Sequence, residues 1–391
     1  MDRRKNTKSE YWIGGTKGRF LLLLCVCILM LVSCGKKHKK QASSDVVYGN
    51  EPRAVYGDDE VLYLDTNENG ILRSYNLNQQ IDAPICMRSE CMHKGSSSSN
   101  ENPECDAYIG YVACVCKIQG MIYYVSNEIG YNRFEVWKMD ATGNSRERIL
   151  VLEDTEEITH WTASGNHLIL TFSDEYDSNG NLREKPETGF WVIDLSVKNA
   201  ERRTLSGHYC YSVDTLSIVG ENVYFSTGYT TEPVEDFTSD DFWRIFRTEI
   251  CSMSLKTGEI RVILEGDDLS MKHIIGDYAV LQKDTSNRIY SLADGSIMDI
   301  ADSVGYSAPI WQVGDEILEI TGGVVRFYSF HEKKLTAEFP AEGDERGVKA
   351  ITNRYIFTIR NAPEGGITEY ITIDDFRNQR WDWKPMPKPY Q

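Results

Sequence analysis

One short pattern recurs along the chain and limits the folds that the chain can adopt. Each copy begins with a turn residue, usually glycine followed by an acidic or polar residue, and continues as a strand of alternating apolar residues. A second strand follows each copy and usually ends in a polar turn. The copies begin at Gly57, Gly120, Gly165, Gly220, Gly276, Gly314 and Asn353. From Gly120 onward the starts are 38 to 56 residues apart, close to the roughly 40 to 50 residues of a four-stranded propeller blade.

This spacing predicts an all-β fold, a β-propeller of about seven blades, although six or eight blades fit the same spacing. A blade cannot bury its faces alone, so neighbouring blades stack around an axis and ring closure protects the sheet edges. We expect a strand from about Val46 to Tyr56 to complete the last blade. A β-sandwich with extra strands is the alternative, because short, regularly spaced strands also occur in that class. Seven similar units exceed what one sandwich needs, which favours the propeller.

The strand starts resemble those of a known repeat family. Their Gly-Asp/Glu-x-apolar-Tyr pattern, as in Gly220-Glu221-Asn222-Val223-Tyr224, is similar to the TolB-like propeller repeat. This resemblance covers about residues 50 to 385. The segment from Pro84 to Tyr108, with three cysteines and one histidine, resembles a segment of uncharacterised propeller lipoproteins of Gram-positive gut bacteria. The resemblance implies a propeller fold and no particular activity.

The N-terminal residues predict export and membrane attachment. A basic region precedes an apolar run from Phe20 to Val32, which is shorter than the about 20 residues of a membrane-spanning helix. The run leads into Leu31-Val32-Ser33-Cys34-Gly35, which resembles the bacterial lipobox. This resemblance implies a lipoprotein signal peptide over residues 1 to 33 and a lipid on the Cys34 sulfur, which anchors the protein to the extracytoplasmic face of the cell membrane. An uncleaved signal anchor is the alternative.

The rest of the chain divides into a tether and one domain. Residues 34 to 45, with a Lys-Lys-His-Lys-Lys run, lack apolar periodicity and predict a flexible tether. Residues 46 to 391 are expected to form a single propeller domain. The formal net charge of the whole chain is −17 at pH 7, which disfavours nucleic acid as a partner.

A cysteine-rich insertion at about residues 84 to 116 carries the densest group of thiols. Cys86, Cys91, His93 and Cys105 supply a Cys3His set, which suits a closed tetrahedral zinc site. An exported protein meets oxidising conditions, so a disulfide among the three cysteines is the competing interpretation. Free thiols are the third interpretation, and the spacing alone does not choose among them.

The chain lacks the common catalytic motifs Gly-x-Ser-x-Gly, His-Glu-x-x-His and Gly-Lys-Ser/Thr, so no catalytic residue is assigned. An insertion over residues 230 to 247 combines acidic residues with Phe237, Phe242, Trp243 and Phe246. Loops on a rigid scaffold often carry function, so these aromatic residues are candidates for contact with a ligand. Packing over the blade edge is the alternative role.

Two functions are consistent with these features. The first is a non-enzymatic binding or scaffold lipoprotein that engages a glycan, a peptide or a protein partner. The second is a surface carbohydrate-active enzyme, a lyase or glycosidase, with carboxylates in the central funnel. Propellers host both classes, so the fold alone does not choose between them. No cofactor is required by the sequence, and zinc at the cysteine-rich insertion is the one candidate.

Overall fold

The computed structural model describes residues 54–65, 70–95, 104–127, 133–153, 157–176, 182–233, 240–266, 269–275, 277–283, 286–292, 294–299, 310–321, 323–342, 346–363 and 365–387. All of them belong to one compact unit, Ser44–Gln391. The predicted signal peptide, Cys34 and the tether lie outside the described residues. Within these ranges, no helix has the length and apolar character needed to cross a membrane.

Seven four-stranded antiparallel sheets take their strands in chain order, which confirms the predicted seven-bladed β-propeller. Blade 1 contains β1 (Ala54–Tyr56), β2 (Glu60–Asp65), β3 (Ile71–Asn76) and β4 (Ile81–Pro84); blade 2 contains β5 (Val112–Ile118), β6 (Met121–Asn127), β7 (Arg133–Met139) and β8 (Glu147–Glu153). Blade 3 contains β9 (Glu157–Ser164), β10 (His167–Tyr176), β11 (Leu182–Asp194) and β12 (Asn199–Thr204); blade 4 contains β13 (Tyr209–Val219), β14 (Asn222–Thr230), β15 (Phe246–Ser254) and β16 (Ile260–Gly266). Blade 5 contains β17 (Leu269–Ile275), β18 (Tyr278–Lys283), β19 (Ser286–Ser291) and β20 (Ile297–Asp299). Blade 6 contains β21 (Ile310–Val313), β22 (Glu316–Thr321), β23 (Val324–Ser329) and β24 (Lys334–Pro340); blade 7 contains β25 (Arg346–Ile351), β26 (Tyr355–Ala362), β27 (Gly365–Thr372) and β28 (Lys384–Pro385). Two short helices, α1 (Asp240–Ile245) and α2 (Ile373–Arg377), lie in the connections of blades 4 and 7.

The core is divided into clusters that lie between neighbouring blades. The first strands of successive blades contact one another from β1 to β25. Alternate side chains of one strand point to opposite faces of its sheet, so each strand serves two interfaces. In β5, Cys114 and Cys116 join the cluster shared with blade 3, whereas Val115 joins the cluster shared with blade 1. Clusters of buried side chains join every pair of adjacent blades, including blades 7 and 1.

The ring closes through side chains rather than through a shared strand. The prediction that a strand from about Val46 to Tyr56 completes the last blade is wrong for the described residues 54–56, because β1 pairs with β2 in blade 1 and β28 supplies the fourth strand of blade 7. Residues 46–53 lie outside the described residues. The Tyr56 and Phe357 rings lie 4.8 Å apart across the closure. Asp58 also accepts hydrogen bonds from the Asn353 side chain and from the backbone N–H of Arg354. The last blade therefore needs no strand from the N-terminal region.

Two kinds of connection contrast within the ring, and we call them the regular turns and the irregular connections. The regular turns join first to second strands and third to fourth strands of most blades. Gly165 and Gly220 each have φ near +60° in a two-residue turn, a conformation that glycine adopts without strain. The irregular connections are residues 85–111, between blades 1 and 2, and residues 231–245, between β14 and β15. Because neighbouring strands are antiparallel, residues 231–245 leave blade 4 at the end opposite to the turn at Gly220.

Candidate functional site

The connection from Ile85 to Tyr111 is the longest between two blades. It contains 27 residues, whereas the other blade-to-blade connections contain 2 to 10. Its return path hydrogen-bonds to blade 1: Leu72 N–H donates to the Ala107 carbonyl at 2.8 Å, and Ile109 N–H donates to the Gly70 carbonyl at 2.9 Å. The segment therefore extends the edge of β3 where β4 has ended.

Blade 2 contacts both the first part and the last part of this connection. Gly143, in the turn between β7 and β8, has no side chain, and a Cβ there would lie 3.0 Å from the Ile85 carbonyl and 3.1 Å from the Asp106 carbonyl. Cys86 and Cys105 belong to the hydrophobic cluster between blades 1 and 2. The connection is thus wedged between two blades, and this placement brings its cysteines together.

The sequence-predicted Cys3His set converges in space. One ligand atom from each of Cys86, Cys91, His93 and Cys105 lies within 4.8 Å of all the others. The Cys105 Sγ lies 3.8 Å from His93 Nδ1. Cys86 and Cys105 are buried, whereas Cys91 and His93 are half-buried at the mouth of the cluster. The four side chains could hold one metal ion.

Local backbone geometry holds two of these sulfurs in place. His93 has φ of +51°, a left-handed conformation that histidine tolerates better than most residues. In this turn the backbone N–H of His93 donates to Cys91 Sγ at 3.4 Å. The backbone N–H of Ala107 interacts in the same way with the Cys105 thiol two residues earlier. Each sulfur thus has a donor from the second residue after it, an arrangement that stabilises a thiolate.

The electrostatic environment keeps the Cys105 thiol neutral unless a cation is near. Burial raises the pKa of Cys105 to about 12; the N–H of Ala107 opposes the shift, and the neighbouring thiols of Cys91 and Cys86 add to it. Among the cysteines whose side chains the structure describes, none forms a disulfide. A bound divalent cation would reverse this balance, because a metal deprotonates the thiols that coordinate it.

The predicted aromatic residues lie on and beside α1 in blade 4. Phe242 is buried and Phe246 is half-buried, whereas Trp243 is 63% exposed. The Phe242 ring lies 4.9 Å from the Trp243 ring and 5.1 Å from the Phe246 ring. Phe242 and Phe246 therefore pack over the blade, and Trp243 is exposed to solvent. Phe237 lies outside the described residues.

Gly228 makes room for this aromatic group. A Cβ on Gly228 would lie 2.5 Å from the Phe246 ring, so only glycine lets the ring lie flat against β14. The centre of the Phe246 ring lies 5.9 Å from that of the Trp243 ring, and the edge of one ring packs against the other. The exposed indole is therefore held by a packed aromatic base, which limits the side-chain entropy that binding would cost.

Polar residues that the sequence pattern did not single out lie at the same end of blade 4. The Tyr229 hydroxyl hydrogen-bonds to Glu265 at 3.2 Å, and Glu249 pairs with Glu265 across adjacent strands. The exposed His208 ring stacks on Tyr229 at 4.1 Å. Burial, followed by the charges of the two glutamates, raises the pKa of Tyr229. We call His208, Tyr229, Trp243, Phe246, Glu249 and Glu265 the blade 4 patch. The strand register places Tyr229, Glu249 and Glu265 on one face of blade 4, whereas Phe246, which pairs with Thr230, points to the other face. The sequence pattern does not state this register.

The described first strands, which line the centre of the ring, carry few acidic side chains. In the described first strands of the blades, the carboxylates are Glu157 on β9 and Asp214 on β13. They come from different blades, and Asp214 lies within hydrogen-bond reach of Ser212 on its own strand. A paired acid and base in the funnel, which a glycosidase needs, is not evident among these strands.

Comparisons with known proteins support the fold. No protein-family model and no curated protein matches the chain. Among solved structures, the β-propeller domain of the Trilobed protease from Pyrococcus furiosus is 11% identical with a TM-score of 0.51, and the match covers 88% of this chain and 97% of that domain. Pyrococcus horikoshii acylaminoacyl peptidase is 13% identical with a TM-score of 0.52, over 88% of this chain and 52% of the peptidase, so the chain spans about half of that protein. TolB from Acinetobacter baumannii also matches, with 12% identity and a TM-score of 0.38 over 82% of this chain and 76% of TolB. At such identities the first two likenesses show a shared propeller fold and leave activity open.

Proposed function

We propose that this protein is an extracytoplasmic lipoprotein, anchored through Cys34, whose propeller binds a partner without turning it over. The observation that carries the proposal is the blade 4 patch, where the exposed Trp243 indole rests on packed aromatic rings at the end of the blade that also carries His208, Glu249 and Glu265. Such a combination provides an apolar face for stacking and hydrogen-bonding groups for orientation. A rigid ring that presents this patch on one connection is typical of a binding module.

The chemistry of the patch favours a glycan over the other partner classes. A sugar ring offers an apolar C–H face to an indole and hydroxyl groups to carboxylates. Trp243 supplies the first element, and Glu265 and His208 supply polar contacts at the same end of the blade. A stable protein interface needs about 800 Å² from each partner, far more than one exposed indole provides. Peptide and protein partners remain outcomes of the test.

The anchor completes the proposal. The short apolar run and the lipobox-like sequence that ends at Cys34 support lipid attachment, and the lysine-rich tether lets the propeller stand away from the membrane. A lipid anchor with a flexible tether keeps the patch at the cell surface at high local concentration. Metabolic labelling with a fatty acid tests this step. Label should enter the wild-type protein and be lost from Cys34→Ala, and equal label in both would contradict the anchor.

Glycan and peptide arrays probed with the full chain test the binding role. Trp243→Ala should remove the glycan signal. Val197→Ala, which shortens another exposed apolar side chain in the regular turn of blade 3, should retain it. Uniform silence of the wild-type protein on glycans, or equal signals from Trp243→Ala and Val197→Ala, would contradict the proposal. Depolymerisation of a bound glycan would instead support the enzyme alternative.

A further inference from the structure

We propose that Cys86, Cys91, His93 and Cys105 form a structural zinc site that fastens the connection between blades 1 and 2 to the ring. The site is independent of the blade 4 patch and of the binding role. It rests on the convergence of four metal-ligating atoms within 4.8 Å of one another. Three thiolates and an imidazole are a common ligand set for structural zinc.

The geometry matches the size of a tetrahedral zinc site. Zinc–sulfur bonds of about 2.3 Å and zinc–nitrogen bonds of about 2.0 to 2.1 Å place neighbouring ligand atoms just under 4 Å apart. The distance between Cys105 Sγ and His93 Nδ1 is 3.8 Å, so this pair already has the required separation. The largest separation in the group, 4.8 Å, exceeds the ideal by only about 1 Å.

The surroundings of the sulfurs also fit zinc. The backbone N–H of His93 donates to Cys91 Sγ, and that donor reduces the excess negative charge that three thiolates leave on a zinc centre. Arg88 lies in the same loop and accepts the Cys91 N–H through its carbonyl at 3.2 Å. This hydrogen bond closes a turn of the backbone between Cys86 and His93.

A metal explains the whole group better than a disulfide does. A disulfide would use two of the three cysteines and would leave the third thiol and His93 at the same point without a role. None of Cys86, Cys91 and Cys105 is joined to another in the structure. Soft thiolate ligands with one imidazole select zinc over magnesium or calcium, which prefer oxygen.

The site would be structural because protein side chains would occupy all four coordination positions of the zinc. Four protein ligands complete a tetrahedron and leave no open position for water or substrate. The ligands come from the two ends of the long connection, with Cys86 just after β4 and Cys105 close to the residues that return to β3. A zinc ion would tie these two ends together and thereby hold the connection between the blades.

Metal analysis of the full chain, purified under reducing conditions without chelator, tests the proposal. We expect about one zinc per wild-type chain and near zero for Cys105→Ala. Cys116→Ala is the matched control, because Cys116 is an equally buried thiol that faces the cluster with blade 3 and should keep about one zinc. Far-UV circular dichroism of each variant separates loss of metal from loss of the fold.

A second measurement needs no variant. Thiol titration of native wild-type protein, with and without a zinc chelator, should show three additional reactive thiols when the chelator is present. Cobalt substitution should produce the visible bands of a tetrahedral thiolate site. The proposal is overturned if reduced wild-type protein binds neither zinc nor cobalt, if Cys116→Ala loses metal as fully as Cys105→Ala, or if mass spectrometry finds a disulfide between any two of the three cysteines.

Discussion

The regular turns and the irregular connections differ in what holds them in shape. The regular turns depend on local interactions. Some contain a glycine with positive φ, and in others an aspartate accepts hydrogen bonds from the residue two positions later, as Asp194 does from the backbone N–H and hydroxyl of Ser196. The irregular connections depend on packing against the blades, since Ile85 and residues 106–109 contact blades 1 and 2, and Phe242 of α1 packs on Phe246, whose ring lies against Gly228 of β14. The repeated strands and turns therefore form the ring, and the irregular connections carry the Cys3His group and the aromatic residues around Trp243.

The largest expected effect comes from the ring that supports both kinds of connection. Phe357→Ala removes a fully buried ring from the closure between blades 7 and 1 and should lower the free energy of unfolding by ~3–5 kcal/mol. Phe225→Ala, at the interface of blades 3 and 4, should cost a similar amount. Urea unfolding measures both. A far smaller loss for Phe357→Ala would show that the closure contributes little to the ring.

A smaller effect is expected in a regular turn. Gly165 has φ of +60°, and no atom lies within 4 Å of a Cβ placed there, so backbone conformation alone demands glycine. Gly165→Ala should destabilise the protein by ~1–2 kcal/mol and leave glycan and zinc binding unchanged. Asn166→Ala, at the next residue of the same turn, should lower the free energy of unfolding by less than Gly165→Ala does. An equal loss in both variants would mean that side-chain contacts govern the turn.

The converse change in an irregular connection sharpens the comparison. Gly228→Ala would push the Phe246 ring away from β14, and the tip of this side chain can move, so the stability loss should stay near or below about 1 kcal/mol. Binding at the blade 4 patch should nevertheless weaken, because Phe246 supports Trp243. Array binding and urea unfolding should show that Gly228→Ala weakens glycan binding with little loss of stability, whereas Gly165→Ala lowers stability and leaves glycan binding unchanged. The same pattern from both glycines would remove the distinction between the two kinds of connection.

The smallest expected effect is a pH dependence of a regular turn. Asp294 accepts hydrogen bonds from the backbone N–H and then the hydroxyl of Ser296, and these lower its pKa from 3.8 to about 2. A lowered folded pKa gives stability that is present above the unfolded pKa and is lost as the pH falls through the folded value. The stability difference between wild-type protein and Asp294→Asn should therefore shrink between pH 5 and pH 2, by urea midpoints. A difference independent of pH would contradict this cause.

The regular part of the molecule was predictable from the sequence because its structural causes are local. The Gly-polar-apolar pattern at Gly120, Gly165 and Gly220 predicts both the turn and the strand that follows it, and its recurrence predicts the number of blades. The closure was not predictable in the same way. The strand that completes blade 7 is the short β28, which follows α2 and carries no repeat signal.

The candidate sites were predictable only in part, for the same physical reason. Cys86, Cys91, His93 and Cys105 were recognisable by residue type, but their convergence depends on the wedge between two blades. Tyr229 and Glu265 are far apart in sequence and meet across β15, which pairs with β14 on one side and with β16 on the other. A tight turn would have fixed the register of β14 and β15, but these strands are joined by the long connection of residues 231–245.

Amide hydrogen exchange of the full chain, with and without the glycan that the array identifies, most directly tests the claim that the irregular connection of blade 4 is the binding site. The account predicts that ligand slows exchange in residues 208–209, 229–233 and 240–249 and leaves the turns at Gly165, Gly220 and Gly314 unchanged. Protection confined to those regular turns, with no change around Trp243, would contradict it.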